Sequence, residues 1–117
     1  MNIILCYAKC STCQKALKWL DDNDYSYVNR PIKEENPSKD EIMKWHKLSG
    51  LDIKKFFNTS GLVYKDLKLS ERLKNMSLDE KYELLASNGM LVKRPLLVTE
   101  DCAYPGFNEE IWRSILK

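Results

Sequence analysis

Between Asn2 and Ile32 the hydrophobic period of the chain changes twice, and that change restricts the fold more than any other feature of the sequence. Residues 2–7, "NIILCY", form a short apolar run rich in β-branched side chains and read as a buried strand, with Cys6 on the same face as Ile4. From Ser11 onward Cys13, Ala16, Leu17 and Leu20 recur at spacings of three and four, opposite Lys15, Lys18, Asp21 and Asp22. That is the pattern of an amphipathic helix. "YSYVNRPI", Tyr25 to Ile32, reads as a second strand. A strand, a helix and a strand in so short a stretch make a right-handed βαβ unit with parallel strands. Cys10, the first of two cysteines in "CSTC", falls at the strand-to-helix junction.

The next helix opens at Pro37 and Ser38. Ser38 and Glu41 have capping-box spacing, in which each side chain satisfies an orphan backbone donor at the other residue, and Gly50 closes the helix in a left-handed conformation. Short helical pieces follow in "LDIKKFFN", "VYKDL" and "SERLKNM". Ser77 and Glu80 repeat the capping box, Leu78, Tyr82 and Leu85 form an apolar stripe, and Gly89 marks a second stop. Arg94 and Pro95 then precede a third strand in "LLVT", Glu100 and Asp101 make a turn, and "CAY" returns as a fourth. Asn108 caps a closing helix whose Ile111, Trp112 and Ile115 face inward. The order predicts one α/β domain over residues 1–117: a four-stranded mixed sheet flanked by helices, with a helical block over about 38–90 inserted between the βαβ unit and a terminal ββα unit.

Composition narrows the function classes. A chain of 117 residues with 44% hydrophobic side chains can fold around its own core without metal or disulfide staples. A net charge of +2, from 19 basic and 17 acidic residues spread along the chain, argues against direct nucleic-acid binding and against a membrane surface as partner. No apolar run approaches a bilayer span, and "MNIILCY" has neither a charged start nor a small-residue cleavage site. The expectation is a cytoplasmic monomer. In a reducing compartment, a close pair among Cys6, Cys10, Cys13 and Cys102 points to catalysis or metal rather than to a structural disulfide.

The start of a helix offers free N–H groups and the positive end of the helix dipole, both of which favour a thiolate at Cys10. Cys13, three residues on, is placed to resolve a mixed disulfide formed there. Lys9 and Lys15 add local positive charge. Two other readings stand beside this one. Zinc would have to recruit two more ligands from Cys6, Cys102 and His46, and the pair could instead be two small buried residues. Arg94 carries a guanidinium suited to an oxyanion or thiolate, while Pro95 suits a strand start and, if cis, a tight bend. Cys6 and Cys102 read as structural, Trp45 as a packing contact and His46 as a partly exposed side chain.

"CSTCQKALKWLDDN", "LDIKKFFNTSGLVYKDL", "LLASNGMLVKRPLLV" and "GFNEEIW" together resemble, over essentially the whole chain, the arsenate reductase (ArsC) family of the thioredoxin-like superfamily, and within it the YusI-like and Spx-like branch. The resemblance implies a thioredoxin-like fold, with Cys10 as the catalytic cysteine, Pro95 as the cis-proline and Arg94 beside the reactive sulfur. It implies a substrate site that includes Ser11, Thr12, Asn58 and Pro95. It implies no bound cofactor, with glutathione, another thiol or a glutaredoxin-type protein as electron donor, and a small thiol or thiolated protein as substrate. Arsenate reductases of this family surround the oxyanion with three arginines, but here Asn58 stands at the middle position and the last falls near Phe107, which argues against arsenate as the main substrate. The second cysteine, Cys13, resembles the Spx-type redox regulators, which bind the RNA polymerase α subunit, and Gly50 matches a glycine at that contact. The end at Lys117 lacks the charged tail of those regulators and favours the enzyme reading.

Overall fold

Successive residues of the first strand face opposite ways, and the two faces found two cores. The computed structural model describes residues 1–116, and β1 spans Ile3–Cys6 within it. Leu5 joins one cluster of buried side chains, while Ile4 and Cys6 join the other. The remaining elements are α1 (Ser11–Asp22), β2 (Val28–Pro31), α2 (Lys39–Ser49), α3 (Leu62–Asp66), α4 (Leu69–Arg72), α5 (Leu78–Ser87), β3 (Leu96–Val98), β4 (Ala103–Pro105) and α6 (Glu109–Ile115). Short 3₁₀ turns lie at Ile53–Phe56, Leu73–Asn75 and Gly89–Leu91.

The sheet order is β2-β1-β3-β4. β1 runs parallel to β2, pairing Leu5 with Arg30, and antiparallel to β3, pairing Leu5 with Leu96; β3 and β4 are antiparallel, pairing Val98 with Ala103. This is the expected four-stranded mixed sheet flanked by helices. Cys13, Ala16, Trp19 and Leu20 of α1 and Trp112 of α6 pack with Ile4, Cys6 and Leu97 in one cluster. The helical block supplies Ile42, Trp45, Phe56, Leu69, Tyr82 and Leu85 to the other, with Leu5, Leu96 and Val98. Alternation along β1 and β3 thus assigns the thiols and the helical block to different clusters.

The caps form as the sequence predicts. Ser38 and Glu41 make a capping box at α2, Ser77 and Glu80 make one at α5, and the Asn108 side chain accepts from the Ile111 N–H at 3.0 Å. Gly50 ends α2 at φ 68°. Gly89 corrects the expectation of a second left-handed stop: α5 ends at Asn88 in an extended conformation, and Gly89 begins a 3₁₀ turn. A Cβ at Gly89 would run into the backbone carbonyl of Ile32, so close approach to the end of β2 accounts for the glycine. The inward stripes also need correction. Leu78 and Ile111 lie in the first turns of α5 and α6 and are exposed, whereas Leu116, just past α6, is buried.

Tyr25 and Tyr27 lie outside β2 because they serve α1 instead. Tyr25 packs on Trp19 with centroids 5.5 Å apart, and the Tyr27 hydroxyl donates to Asp21 at 2.9 Å. Trp45 is buried with the Arg30 guanidinium over its ring. His46 is bonded at both nitrogens, Nε2 at 2.9 Å from the Leu51 carbonyl and Nδ1 at 2.6 Å from the Tyr82 hydroxyl. A carbonyl can only accept, so Nε2 carries the proton and Nδ1 accepts from Tyr82.

Candidate functional site

β1 ends at Cys6 and the chain turns immediately into α1, with the Cys10 N–H donating to the Tyr7 carbonyl at 3.0 Å. Cys10 is the N-cap of α1, extended at φ −88° and ψ 118°, and its carbonyl accepts from the Gln14 N–H at 3.1 Å. Its side chain makes no capping hydrogen bond, and the first turn of α1 holds no acidic residue. The helix therefore presents its positive end beside a half-buried sulfur without a protein carboxylate to neutralise it.

Cys10 lines a cleft of about 550 Å³. Tyr7 and Thr12 form its near side, Asn58, Ser60, Gly61, Leu62 and Val63 its far side, and Met90, Lys93 and Arg94 complete it. Backbone pairing sets the two sides: Phe57 and Val92 form an antiparallel bridge, the Asn58 N–H donates to Leu91 at 2.8 Å, and the Lys93 N–H donates to Phe56 at 2.8 Å. Asn58 and Arg94 are thereby anchored to each other's segments.

The Arg94–Pro95 peptide bond is cis, the conformation that the resemblance implies at Pro95. Arg94 donates from Nη1 to the Met90 carbonyl at 3.1 Å and lays its guanidinium over the Tyr7 ring, 5.4 Å from the centroid. Its Nε is the one buried side-chain nitrogen or oxygen among the described residues without a hydrogen-bond partner.

Cys13 lies behind Cys10, fully buried at the third position of α1. Hydrogen bonding with the neighbouring Cys6 thiol is the main cause that lowers Cys13 to about 6. Burial opposes the shift, while the Tyr7 N–H, the Cys10 thiol and the charge of Arg94 reinforce it. The same contact, with burial and the charge on Cys13, pushes the Cys6 thiol far above its ordinary range. Cys6 and Cys13 are thus buried and Cys10, half-buried, lines the cleft, and all three are free thiols.

Cys10, Thr12, Asn58 and Arg94 are gathered at the cleft, with Cys13 directly behind it. Ser11 is exposed in the first turn of α1, and Pro95 is buried behind Arg94; neither lines the cleft. Phe107, near the position of the family's last arginine, packs on Trp19 and Trp112 with centroids 5.8 Å and 4.9 Å away and serves the core. Cys102 belongs to the opposite end of the sheet, where the register pairs Ile3 with Val98 and Val98 with Ala103. It lines a separate groove of about 730 Å³ with Met1, Tyr27 and Val28. Among the described residues no group of three or more His, Cys, Asp or Glu side chains is arranged to hold a metal ion.

Sequence reasoning missed Tyr7, Lys93 and Cys6. The first two could be suspected from adjacency, since Tyr7 lies three residues before Cys10 and Lys93 directly precedes Arg94. Cys6 carries no such local signal, because its partner lies across the turn from β1 into α1.

Residues 5–115 match the ArsC family. The uncharacterised protein YusI of Bacillus subtilis is 50% identical over 104 residues, covering 89% of this chain and 88% of YusI. The global transcriptional regulator Spx 2 of Bacillus anthracis is 27% identical over 116 residues, 99% of this chain and 87% of the regulator. The crystal structure of an ArsC family related protein from Bacteroides fragilis superimposes with a TM-score of 0.95 at 54% identity, covering 97% of this chain and 96% of that one.

Proposed function

The chain belongs to the ArsC family, and from that premise we propose that it is a cytoplasmic thiol-disulfide oxidoreductase in which Cys10 is the nucleophile and Cys13 the resolving thiol. The observation that carries this reading is Cys10 at the uncapped N-terminus of α1, lining the cleft, with Cys13 buried three residues on in the first turn of the same helix. Cys10 gives up its proton and attacks one sulfur of a substrate disulfide, in a thiolated protein or a small thiol. The new bond joins Cys10 to one half of the substrate, and the other half leaves as a thiolate, which takes that proton on departure. Cys13 then attacks Cys10, forming the Cys10–Cys13 disulfide and releasing the second half. The two protein thiols are oxidised and the substrate disulfide is reduced to two thiols. Glutathione, another thiol or a glutaredoxin-type protein restores the dithiol.

Arg94, with Lys93 beside it, supports an anionic substrate group or departing thiolate. A doubly charged oxyanion would find one arginine in this cleft, with Asn58 where a second would stand, which weighs against arsenate. The test is reduction of a glutathionylated protein by the wild type and by Cys10→Ser. Activity in the wild type that the serine variant loses is the expected result; equal activity in both removes the reading.

A second reading, a redox-sensing regulator that binds the RNA polymerase α subunit, is favoured by the likeness to Spx 2 over nearly the whole chain and by Gly50, whose surroundings are open. Pull-down of the polymerase α C-terminal domain by the reduced and the oxidised protein tests it, and binding in neither state rejects it.

A further inference from the structure

An arginine in a binding cleft has a long side chain that must be held in place before its donors can select a ligand. Arg94 donates from Nη1 to the Met90 carbonyl at 3.1 Å, and its Nε is buried without a partner. The flat face of the guanidinium lies over the Tyr7 ring, 5.4 Å from its centroid. What remains for a ligand is the Nη end. A buried nitrogen without an acceptor costs stability, and the Met90 carbonyl and the Tyr7 ring offset that cost. Tyr7 is itself held firmly. Its carbonyl accepts from the Cys10 N–H at 3.0 Å, which ties the ring to the residue that carries the cleft sulfur. Continuing the alternation of β1, Tyr7 follows Leu5, and it packs against the helical-block cluster that contains Leu5, Phe57 and Val92. Phe57 and Val92 are the bridged residues that join the Asn58 and Arg94 segments. The ring is therefore a platform set between the cleft sulfur and the cleft cation, with all three residues lining the same cavity.

We propose that Tyr7 is a positioning residue: its ring face holds the Arg94 guanidinium at a fixed offset from Cys10, so that the Nη N–H groups meet a carboxylate of the substrate while the substrate disulfide lies at the Cys10 sulfur. The proposal rests on the reductase reading and deepens it, since it makes the substrate an anionic disulfide of the kind formed by a glutathione-type thiol. A guanidinium can stack on a ring and still keep its in-plane N–H groups free for a carboxylate. Lys93, which lines the same cleft, adds charge without that planar geometry. No bond forms or breaks at Tyr7 or Arg94, so the electron balance of the cycle is unchanged.

The test compares wild type with Tyr7→Leu, which removes the ring, and with Tyr7→Phe, which keeps it, each alone and combined with Arg94→Gln. The readouts are the kcat/KM preference for oxidised glutathione over the uncharged hydroxyethyl disulfide, and the Kd of S-methylglutathione, which carries carboxylates but no thiol to react. In Tyr7→Leu the preference should fall about fivefold and the Kd should rise by a similar factor, with Tyr7→Phe close to wild type in both. Added to Arg94→Gln, Tyr7→Leu should change either readout by less than about twofold, because the ring acts through the guanidinium. A merely structural role would slow both disulfides alike and leave the preference unmoved. That result overturns the assignment, as does a phenylalanine variant that behaves like the leucine variant, full additivity with Arg94→Gln, or a wild type that does not bind S-methylglutathione. Should the leucine variant fail to fold, pentafluorophenylalanine at position 7 decides in its place, since it keeps the ring and reverses the charge of its face; a preference and a Kd equal to those of wild type then overturn the assignment. A wild type that reduces neither disulfide is a different result: it sinks the reductase reading, while the Kd comparison still decides the role of Tyr7.

Discussion

α1 and α2 have N-termini of opposite design. α2 begins with a complete capping box, Asp40 and Glu41 in its first turn, and Arg30 donating to both Glu41 oxygens at 2.7 Å and 3.0 Å. α1 begins with a cysteine that caps nothing and has no acidic residue in its first turn. The side-chain cap and the first-turn acidic residues that stabilise the start of α2 are both missing at α1. The difference leaves the first-turn N–H groups and positive end of α1 without a side-chain acceptor, which on the proposed reading serves a sulfur anion or an incoming substrate.

The contrast can be attacked first where it predicts most. Cys10→Ser should lower disulfide reductase turnover by at least about a hundredfold and at the same time give α1 a capping hydroxyl, raising stability by about 1 kcal/mol in urea unfolding. Loss of activity and gain of stability in one variant is the signature of a helix end that gave up its cap for function, and a less stable serine variant would break the comparison. Next in size, Arg94→Lys keeps the charge and loses the planar fork; kcat/KM should fall about tenfold in the same reductase assay. At the opposite end of the contrast, Ser38→Ala should cost about 1 kcal/mol in urea unfolding, with turnover unchanged.

The smallest effect is on pH dependence. The hydrogen bond from Arg30 holds the Glu41 carboxyl below its ordinary range despite partial burial. A depressed acid stabilises the fold above its unfolded value and loses that contribution as pH falls through the folded one, so the wild type should weaken progressively below about pH 4.5. Glu41→Gln should be less stable near neutrality and show a flatter acid limb in urea midpoints measured across pH. The depressed Cys13 has the same sign, its contribution lost as pH falls through about 6 in the reduced protein. Cys13→Ala should remove that second limb.

Features decided within four or five residues were legible in the sequence. Ser38 with Glu41, Ser77 with Glu80, and Asn108 form the caps that their spacing announces, because a side chain there bonds to the backbone of its own turn. The period of α1 and its start at Ser11 were equally plain, as were the four strands. Features decided by distant segments were not. Gly89 reads as a helix stop until the carbonyl of Ile32 is found against it. Leu78 and Ile111 continue an apolar stripe in sequence, but first turns project past the surface that would cover them. Of the candidate site, Cys10, Cys13 and Arg94 could be found from the motif and the family resemblance. The role of Asn58 as a cleft wall depends on the bridge between Phe57 and Val92, and the contact of Cys6 with Cys13 depends on how β1 delivers its last side chain beneath α1.

The division of the interior into two clusters also divides the three tryptophans. Trp19 and Trp112, centroids 6.4 Å apart, share the cluster of Cys6 and Cys13, whereas Trp45 lies in the other with Arg30 over its ring. Indole emission responds to sulfur anions and disulfides nearby. Formation of the proposed Cys10–Cys13 disulfide should therefore change the emission of the two indoles in that cluster and leave Trp45 as a reference, so a single Trp45→Phe substitution would leave a signal that reads the thiol cluster alone.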